Sequence, residues 1–166
     1  LARICEEAGV PKGVLSVLPG TGSVIGDVLV RHPLVKKVSF TGGTDVGRGI
    51  ARIAAEKLMP VSLELGGKSP TIVFDDADLD HAVNGVLYGI FSSSGEACIA
   101  GSRLFVQRSI YDAFMQRLAE GARKLRVGDP SRPDTQMGPL ITAKHRESVE
   151  RYVALGLEEG ARLPVS

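Results

Sequence analysis

Apolar positions along this chain switch repeatedly between helical and strand spacing. Leu1, Ile4, Cys5 and Ala8 follow i, i+3, i+4, i+7, so they form one helix face, and Gly9 supplies a stop. Cys5 falls on that face and is expected to be a buried, inert thiol. Pro11 and Gly13 mark a turn, and residues 14–18 read as a short strand. A helix-like segment over residues 27–30 is broken at His32-Pro33, because the residue before a proline is driven out of helical conformation. Residues 35–40 predict the next strand. A helix to about Leu58 then carries Val46, Ile50, Ile53, Ala54 and Leu58 as its apolar stripe, and Met59-Pro60 ends it.

The second half keeps the rhythm. Residues 61–65 alternate as a half-buried strand, and Pro70 opens another that runs to Phe74. The acidic run Asp75-Asp76-Ala77-Asp78-Leu79-Asp80 lacks the glycine and terminal glutamate of a calcium loop, and a helix follows at once. Asp78 or Asp80 as helix N-cap explains it. That helix presents Leu79, Ala82, Val83, Val86, Leu87 and Ile90 on one side, and residues 103–107 form the strand beyond it. Ser109 with Asp112 predicts a capping box for a helix bearing Ile110, Phe114, Leu118 and Leu125. A surface loop over residues 129–141 leads to a last helix from near Thr142 to about Gly156, with Val149, Tyr152 and Val153 expected to face inward. Residues 160–166 show no closing element. Strand and helix in alternation predict an α/β fold.

Composition narrows the classes. The 166 residues are 43% hydrophobic and 23% charged, which suits a globular protein and argues against disorder. A formal net charge of +1 with scattered Lys and Arg gives no reason to expect a nucleic-acid or anionic-membrane partner. No apolar run approaches about 18 residues and no cationic leader precedes one, so a cytoplasmic location is expected. Two cysteines make no disulfide framework, and the three histidines lack metal-ligand spacing, so no metal is expected. The chain opens at Leu1 inside a helical pattern, which suggests a piece of something longer.

Candidate chemistry concentrates in three places. Cys98 sits between Gly95 and Gly101 among small residues, in a loop between a helix pattern and a strand pattern, where another molecule can approach the sulfur. A thiolate is a strong nucleophile wherever its surroundings favour ionisation. Glu64 lies on the small, polar face of its strand, with Ser62 and Gly66 as alternation partners, and could be a solvated carboxylate or a ligand-facing one. Two glycine-rich turns follow predicted strands, residues 20–26 and residues 42–47. The first reads G-x-G-x-x-x-G, one residue longer than the dinucleotide fingerprint. The second delivers backbone N–H groups to a helix start, where a pyrophosphate would suit, although a plain capped turn fits equally. Gly66-Gly67-Lys68-Ser69 is not a P-loop, since Ser62 stands where a glycine is needed and Pro70 starts a strand rather than a helix.

Four segments in order, residues 40–47, 63–70, 76–80 and 95–103, together resemble the NAD(P)-dependent aldehyde dehydrogenases, and the resemblance covers nearly the whole chain. It implies an aldehyde-dehydrogenase-like α/β fold: the C-terminal part of a parallel-sheet dinucleotide-binding domain over residues 1–60, then the N-terminal part of an α/β catalytic domain over residues 61–166. It implies Cys98 as nucleophile and Glu64 as general base. It implies cofactor contacts at Gly22, Gly26, Gly42, Gly43, Thr44, Val46, Gly47 and Leu65, with NAD or NADP as cofactor. Ala97 and Ile99 would line the pocket of a small-molecule aldehyde. Gly43 and Glu96 stand where the family often has serine and glutamine. The family also implies further elements on both sides, including an oxyanion-hole asparagine and ribose-binding residues not found here, and a homo-oligomeric whole enzyme. The isolated 166 residues are accordingly expected to be poorly active. Two other function classes fit the residues: an inactive truncated or non-catalytic structural relative, and a cofactor-free cysteine hydrolase of esterase type.

Overall fold

The computed structural model describes residues 1–163. They divide into two compact units, residues 1–65 and residue 66 onward, each described by itself below. Residues 164–166, the end of the tail for which no closing element is expected, lie outside the described residues.

The first unit holds helix α1 (Ala2–Glu7), a single π-helical turn (Gly22–Gly26) running straight into α2 (Asp27–Arg31), strand β1 (Val38–Gly42), α3 (Thr44–Glu56) and β2 (Val61–Leu65). β1 and β2 are parallel, with Thr41 opposite Glu64 and Gly42 opposite Leu65, and α3 is the crossover between them. Parallel neighbours require such a crossover, and the apolar stripe on α3 covers the pair. Val30, Ile53, Ala54 and Met59 are buried together, with Val35, Val38, Ile50 and Val61 packed around them.

α3 ends differently from its sequence pattern. Leu58 is expected on the apolar stripe but is 92% exposed, with φ of 51°. Its N–H donates to the Ala55 carbonyl, and the Met59 N–H reaches back to Ala54 at 2.8 Å. These bonds form a Schellman cap, which puts a left-handed residue one place beyond the helix and a buried apolar residue after it. The site that usually takes glycine here carries leucine, and Met59 makes the core contact.

Three other expectations are corrected in this unit. Residues 14–18 form no strand, because among the described residues no neighbour pairs with them, and Val14 stays 71% exposed. β1 starts at Val38 rather than at residue 35, since residues 33–34 form a turn. Cys5 is half-buried, and no residue of α1 is buried.

The second unit repeats the strand–helix–strand scheme. β3 (Pro70–Val73) and β4 (Arg103–Val106) are parallel, joined through α4 (Leu79–Phe91). Then follow α5 (Tyr111–Arg123) and α6 (Ala143–Glu158). Val73, Val83, Val86 and Phe114 form the core, and Phe114 is fully buried. Removing such a ring from water is worth about 1.5–3 kcal/mol. α4 starts as its sequence requires, with the Asp78 carboxylate accepting the His81 N–H at 2.9 Å. α6 starts on Thr142, whose hydroxyl accepts the His145 N–H at 3.2 Å.

Two expectations fail here. Ser109 does not cap α5: its hydroxyl bonds the Asp75 carboxylate at 3.2 Å, which also accepts from the Gln107 amide at 2.6 Å. That cluster ties the ends of β3 and β4 together and outcompetes a local cap. α6 buries no residue, so Val149, Tyr152 and Val153 do not face a core among the described residues. Across the described residues no helix is long and apolar enough to cross a membrane.

Candidate active site

The glycine-rich turns of the first unit converge on one feature. A cavity of about 940 Å³ is lined by Gly22, Ser23 and Gly26 from the π-helical turn, by Val38, Ser39 and Phe40 from β1, and by Val46, Gly49, Ile50 and Ile53 from α3. Glycines at 22 and 26 leave this wall bare of side chains, while Val46 contributes an apolar surface. Gly22, Gly26 and Val46, picked from sequence, therefore share one space. Asp27, Arg31, Lys37, Arg52 and Glu56 also line it, so the space combines bare backbone and an apolar wall with charged side chains.

The remaining candidates of this unit gather at the β1–α3 turn. α3 has 13 residues, and its N-cap Gly43 supplies no side-chain cap. The N–H groups of Thr44, Asp45 and Val46 are consequently left for an outside acceptor at the positive end of the helix dipole. An anion of pyrophosphate type fits there. Asp45 does not fill the place, since its carboxylate is paired with Arg48 at 2.8 Å. Gly47 lets α3 approach the end of β2: a Cβ on it would lie 2.5 Å from Leu65 Cδ2. That contact seats Leu65 beside Gly42, its partner across the parallel pair. Glu64 lies on the exposed face of β2, and no hydrogen bond or ion pair engages its carboxylate among the described residues.

Cys98 belongs to the second unit, as an exposed free thiol. After α4 the chain makes a short 3₁₀ turn (Ser92–Gly95) in which Ser93, Ser94 and Gly95 have φ of 51°, 57° and 76°. Three consecutive left-handed residues, two of them serines, are costly, at about 1–2 kcal/mol for each residue with a Cβ. Their effect is to reverse the chain within one turn and push residues 96–99 outward. The Ala100 N–H then closes on the Ala97 carbonyl at 3.0 Å, which leaves Cys98 and Ile99 at the tip of a turn. Ala97 is half-buried, Ile99 is exposed, and Ala100 is buried and anchors the loop. Neither the Cys98 nor the Ile99 N–H donates to a protein group among the described residues.

The structure adds neighbours that the sequence pattern did not single out. Gly67 backs onto the Cys98 loop, where a Cβ would stand 3.5 Å from the Cys98 carbonyl oxygen. The Arg103 side chain bonds the Lys68 carbonyl at 2.7 Å and its N–H reaches Ser69, which fixes residues 67–69 against the end of the loop. The glycine pair at 66–67 was the available signal. The Ser94 hydroxyl donates to the Gly138 carbonyl at 3.3 Å, and Glu96 meets His145 at 3.3 Å. No sequence spacing announces those two contacts. Among the described residues, no cluster of three or more His, Cys, Asp or Glu side chains could hold a metal ion.

Comparison with known proteins gives a consistent result. The model of the aldehyde dehydrogenase family matches residues 1–166. A 5-carboxymethyl-2-hydroxymuconate semialdehyde dehydrogenase of Escherichia coli is 52% identical over 163 residues, which is 98% of this chain and 34% of that protein. A betaine aldehyde dehydrogenase of Bacillus subtilis is 46% identical over 161 residues, 97% of this chain and 33% of that protein. Among solved structures, a betaine aldehyde dehydrogenase of Staphylococcus aureus in complex with NAD+ superimposes with a TM-score of 0.94 at 43% identity, over 99% of this chain and 33% of that one. An aldehyde dehydrogenase of Bacillus cereus gives 0.96 at 42% identity, over 99% and 33%. The chain spans about a third of the length of the relatives it matches.

Proposed function

The chain belongs to the aldehyde dehydrogenase family, and from that premise we propose that this protein oxidises an aldehyde to a carboxylic acid with NAD+ or NADP+, using Cys98 as nucleophile and Glu64 as general base. One observation carries the reading: an exposed thiol at the tip of the turn that follows three left-handed residues, beside backbone N–H groups that no protein acceptor uses among the described residues.

The Cys98 thiolate adds to the aldehyde carbon, and the carbonyl oxygen becomes an oxyanion. The Cys98 N–H, which has no protein acceptor among the described residues, would donate to it. Bound NAD+ or NADP+ supplies the hydride acceptor, which the uncapped amides of Thr44, Asp45 and Val46 would hold at its pyrophosphate, with Gly22, Gly26 and Val46 around its adenosine and Gly42, Gly43, Gly47 and Leu65 shaping the turn. The acyl group left on sulfur is a thioester. Glu64 takes a proton from water, the hydroxide adds to the thioester, the C–S bond breaks, and acid and thiolate are released. Ala97 and Ile99 flank the sulfur and belong to the aldehyde pocket. Residues 1–60 serve the cofactor and residues 61–166 the chemistry, with β2 pairing in the first unit while carrying the base. The working enzyme is taken to be a cytoplasmic homo-oligomer.

The experiment uses the whole protein. Cys98→Ala should abolish aldehyde-dependent reduction of the cofactor and any ester hydrolysis. Glu64→Gln should retain a single burst of reduced cofactor while steady turnover falls about 10²- to 10⁴-fold, the range for losing a positioned base. Normal turnover by Cys98→Ala overturns the assignment of the nucleophile. A Glu64→Gln variant without burst, or with unchanged turnover, overturns that of the base.

A further inference from the structure

Ser94 turns inward where its neighbours do not. It is half-buried between the exposed Ser93 and Gly95, and its hydroxyl donates to the Gly138 carbonyl at 3.3 Å. That carbonyl takes no backbone N–H among the described residues. Ser93, Ser94 and Gly95 are the three left-handed residues. Such a conformation persists only where the surroundings over-determine it, and the bond to Gly138 is a constraint from outside the loop. Gly138 in turn closes a braced segment. The Gln136 N–H donates to the Arg126 carbonyl at 2.8 Å and the Gly128 N–H to the Met137 carbonyl at 3.0 Å, while Val127 and Met137 form an isolated β-bridge. Inside this closed loop, the Arg126 guanidinium donates to the Asp134 carbonyl at 2.6 Å and the Thr135 hydroxyl to the Asp129 carbonyl at 2.7 Å. A surface loop whose ends meet and whose interior is bonded is an Ω-loop, which holds its shape without helix or strand. A Cβ on Gly138 would stand 3.7 Å from Ser94 Oγ and 3.8 Å from Pro130 Cβ, so the residue lies between the serine and the Ω-loop.

We infer that residues 126–138 form a rigid seat for the Cys98 loop, and that Ser94 is the positioning residue through which this seat acts. The inference deepens the reading of Cys98 as nucleophile and rests on it. Among the described residues the Ser94 bond is the one hydrogen bond between residues 92–101 and residues 126–138. On the far side of Cys98, Gly101 and Ser102 share an apolar cavity of about 540 Å³ with Val127 and Met137, so the seat faces the loop there across a void and holds it directly only at Ser94. Cys98 follows four residues after the latch, and the next fixed point is the Gly101 N–H on the Gly89 carbonyl at 3.4 Å. A backbone rotation at Ser94 therefore swings residues 96–99 as a body. Misplacing a reacting atom by about 1 Å is enough to slow a bond-forming step markedly.

Two readouts on the whole protein keep the latch apart from the chemistry. In Ser94→Ala, amide exchange of the peptide covering residues 92–101, followed by mass spectrometry, should quicken about two- to ten-fold, the factor that one neutral hydrogen bond supplies. The kcat/KM for the aldehyde should fall by a similar factor, with the KM for the cofactor unchanged. Arg126→Met leaves Ser94 in place but loosens the seat, so it should move both readouts in the same direction. Added to Ser94→Ala it should cost nothing further, because the seat acts through the latch. Unchanged exchange in Ser94→Ala would overturn the latch. Quickened exchange with unchanged kcat/KM would overturn the positioning role, and additive losses in the double variant would overturn the route through Ser94. Should Ser94→Ala not fold, Arg126→Met alone decides, and an Arg126→Met variant that matches wild type in both readouts overturns the inference. Normal turnover by Cys98→Ala would remove the nucleophile while the exchange result stands, so the two readings fail separately.

Discussion

Lys57 offers a sharp test of how the first unit is held together. Its ammonium donates to three backbone carbonyls: Val30 at 2.9 Å, His32 at 2.7 Å and Val35 at 3.3 Å. The first lies at the end of α2, the others in the turn leading toward β1, and Lys57 itself caps α3. One side chain thus fixes the two helices that wall the cavity containing Gly22, Gly26 and Val46. Lys57→Met keeps the aliphatic stem and removes the charge. The His32 carbonyl is exposed and can be rehydrated, and it also accepts from the Val35 N–H. The Val30 carbonyl is partly buried and has no second protein partner among the described residues. A hydrogen bond to a charged group is worth about 1.5–3 kcal/mol, and stranding a buried acceptor costs about 1–3 kcal/mol. These are two views of one loss, so about 2–3 kcal/mol is expected, not their sum. At about 1.4 kcal/mol per tenfold, native-state amide exchange in α2 and α3 should quicken about 30- to 150-fold, with α4 and α5 unaffected. Lys57→Arg should not restore protection, because a planar fork cannot point at three convergent oxygens. An exchange change under about threefold in Lys57→Met would refute the argument.

Two further outcomes test the second unit. The His81 N–H that bonds the Asp78 carboxylate holds its pKa below the ordinary range, against a small opposing desolvation. A lowered carboxylate contributes stability above its unfolded pKa of about 3.9 and loses it as pH falls through the folded value. Protection of the first turn of α4 should therefore fall on acidification below about pH 4 in wild type, whereas Asp78→Asn should cap the helix with no such dependence; identical pH profiles would contradict this. Gly101 closes the Cys98 loop over β3, and a Cβ on it would run into the Thr71 hydroxyl. Gly101→Ala should cost about 1–3 kcal/mol of stability and displace Cys98, with Thr71→Ala recovering most of the loss; urea unfolding of the single and double variants checks both.

What the sequence made legible is what neighbours along the chain decide. α3 and α4 appear where the apolar spacing puts them, and Asp78 and Thr142 start their helices through bonds three residues on. Of the candidates read from the glycine-rich turns, Gly22, Gly26 and Val46 line one cavity. Where the sequence misled, a partner distant along the chain had the deciding vote. Ser109 and Asp112 satisfy the spacing of a capping box, yet the Ser109 hydroxyl finds Asp75, 34 residues earlier. Residues 14–18 have strand composition, but a strand exists only beside another, and none among the described residues takes that place. Leu58 completes an apolar period and still ends outside, because the Schellman cap takes the chain out of the helix one residue too early for it. The contacts of the Cys98 loop are of the same kind. Ser94 and Glu96 look like ordinary polar loop residues until Gly138 and His145 arrive opposite them. A reactive-looking cysteine can be picked out from its small neighbours, but what holds its loop in place is written elsewhere in the chain, in residues that carry no chemical signature of their own.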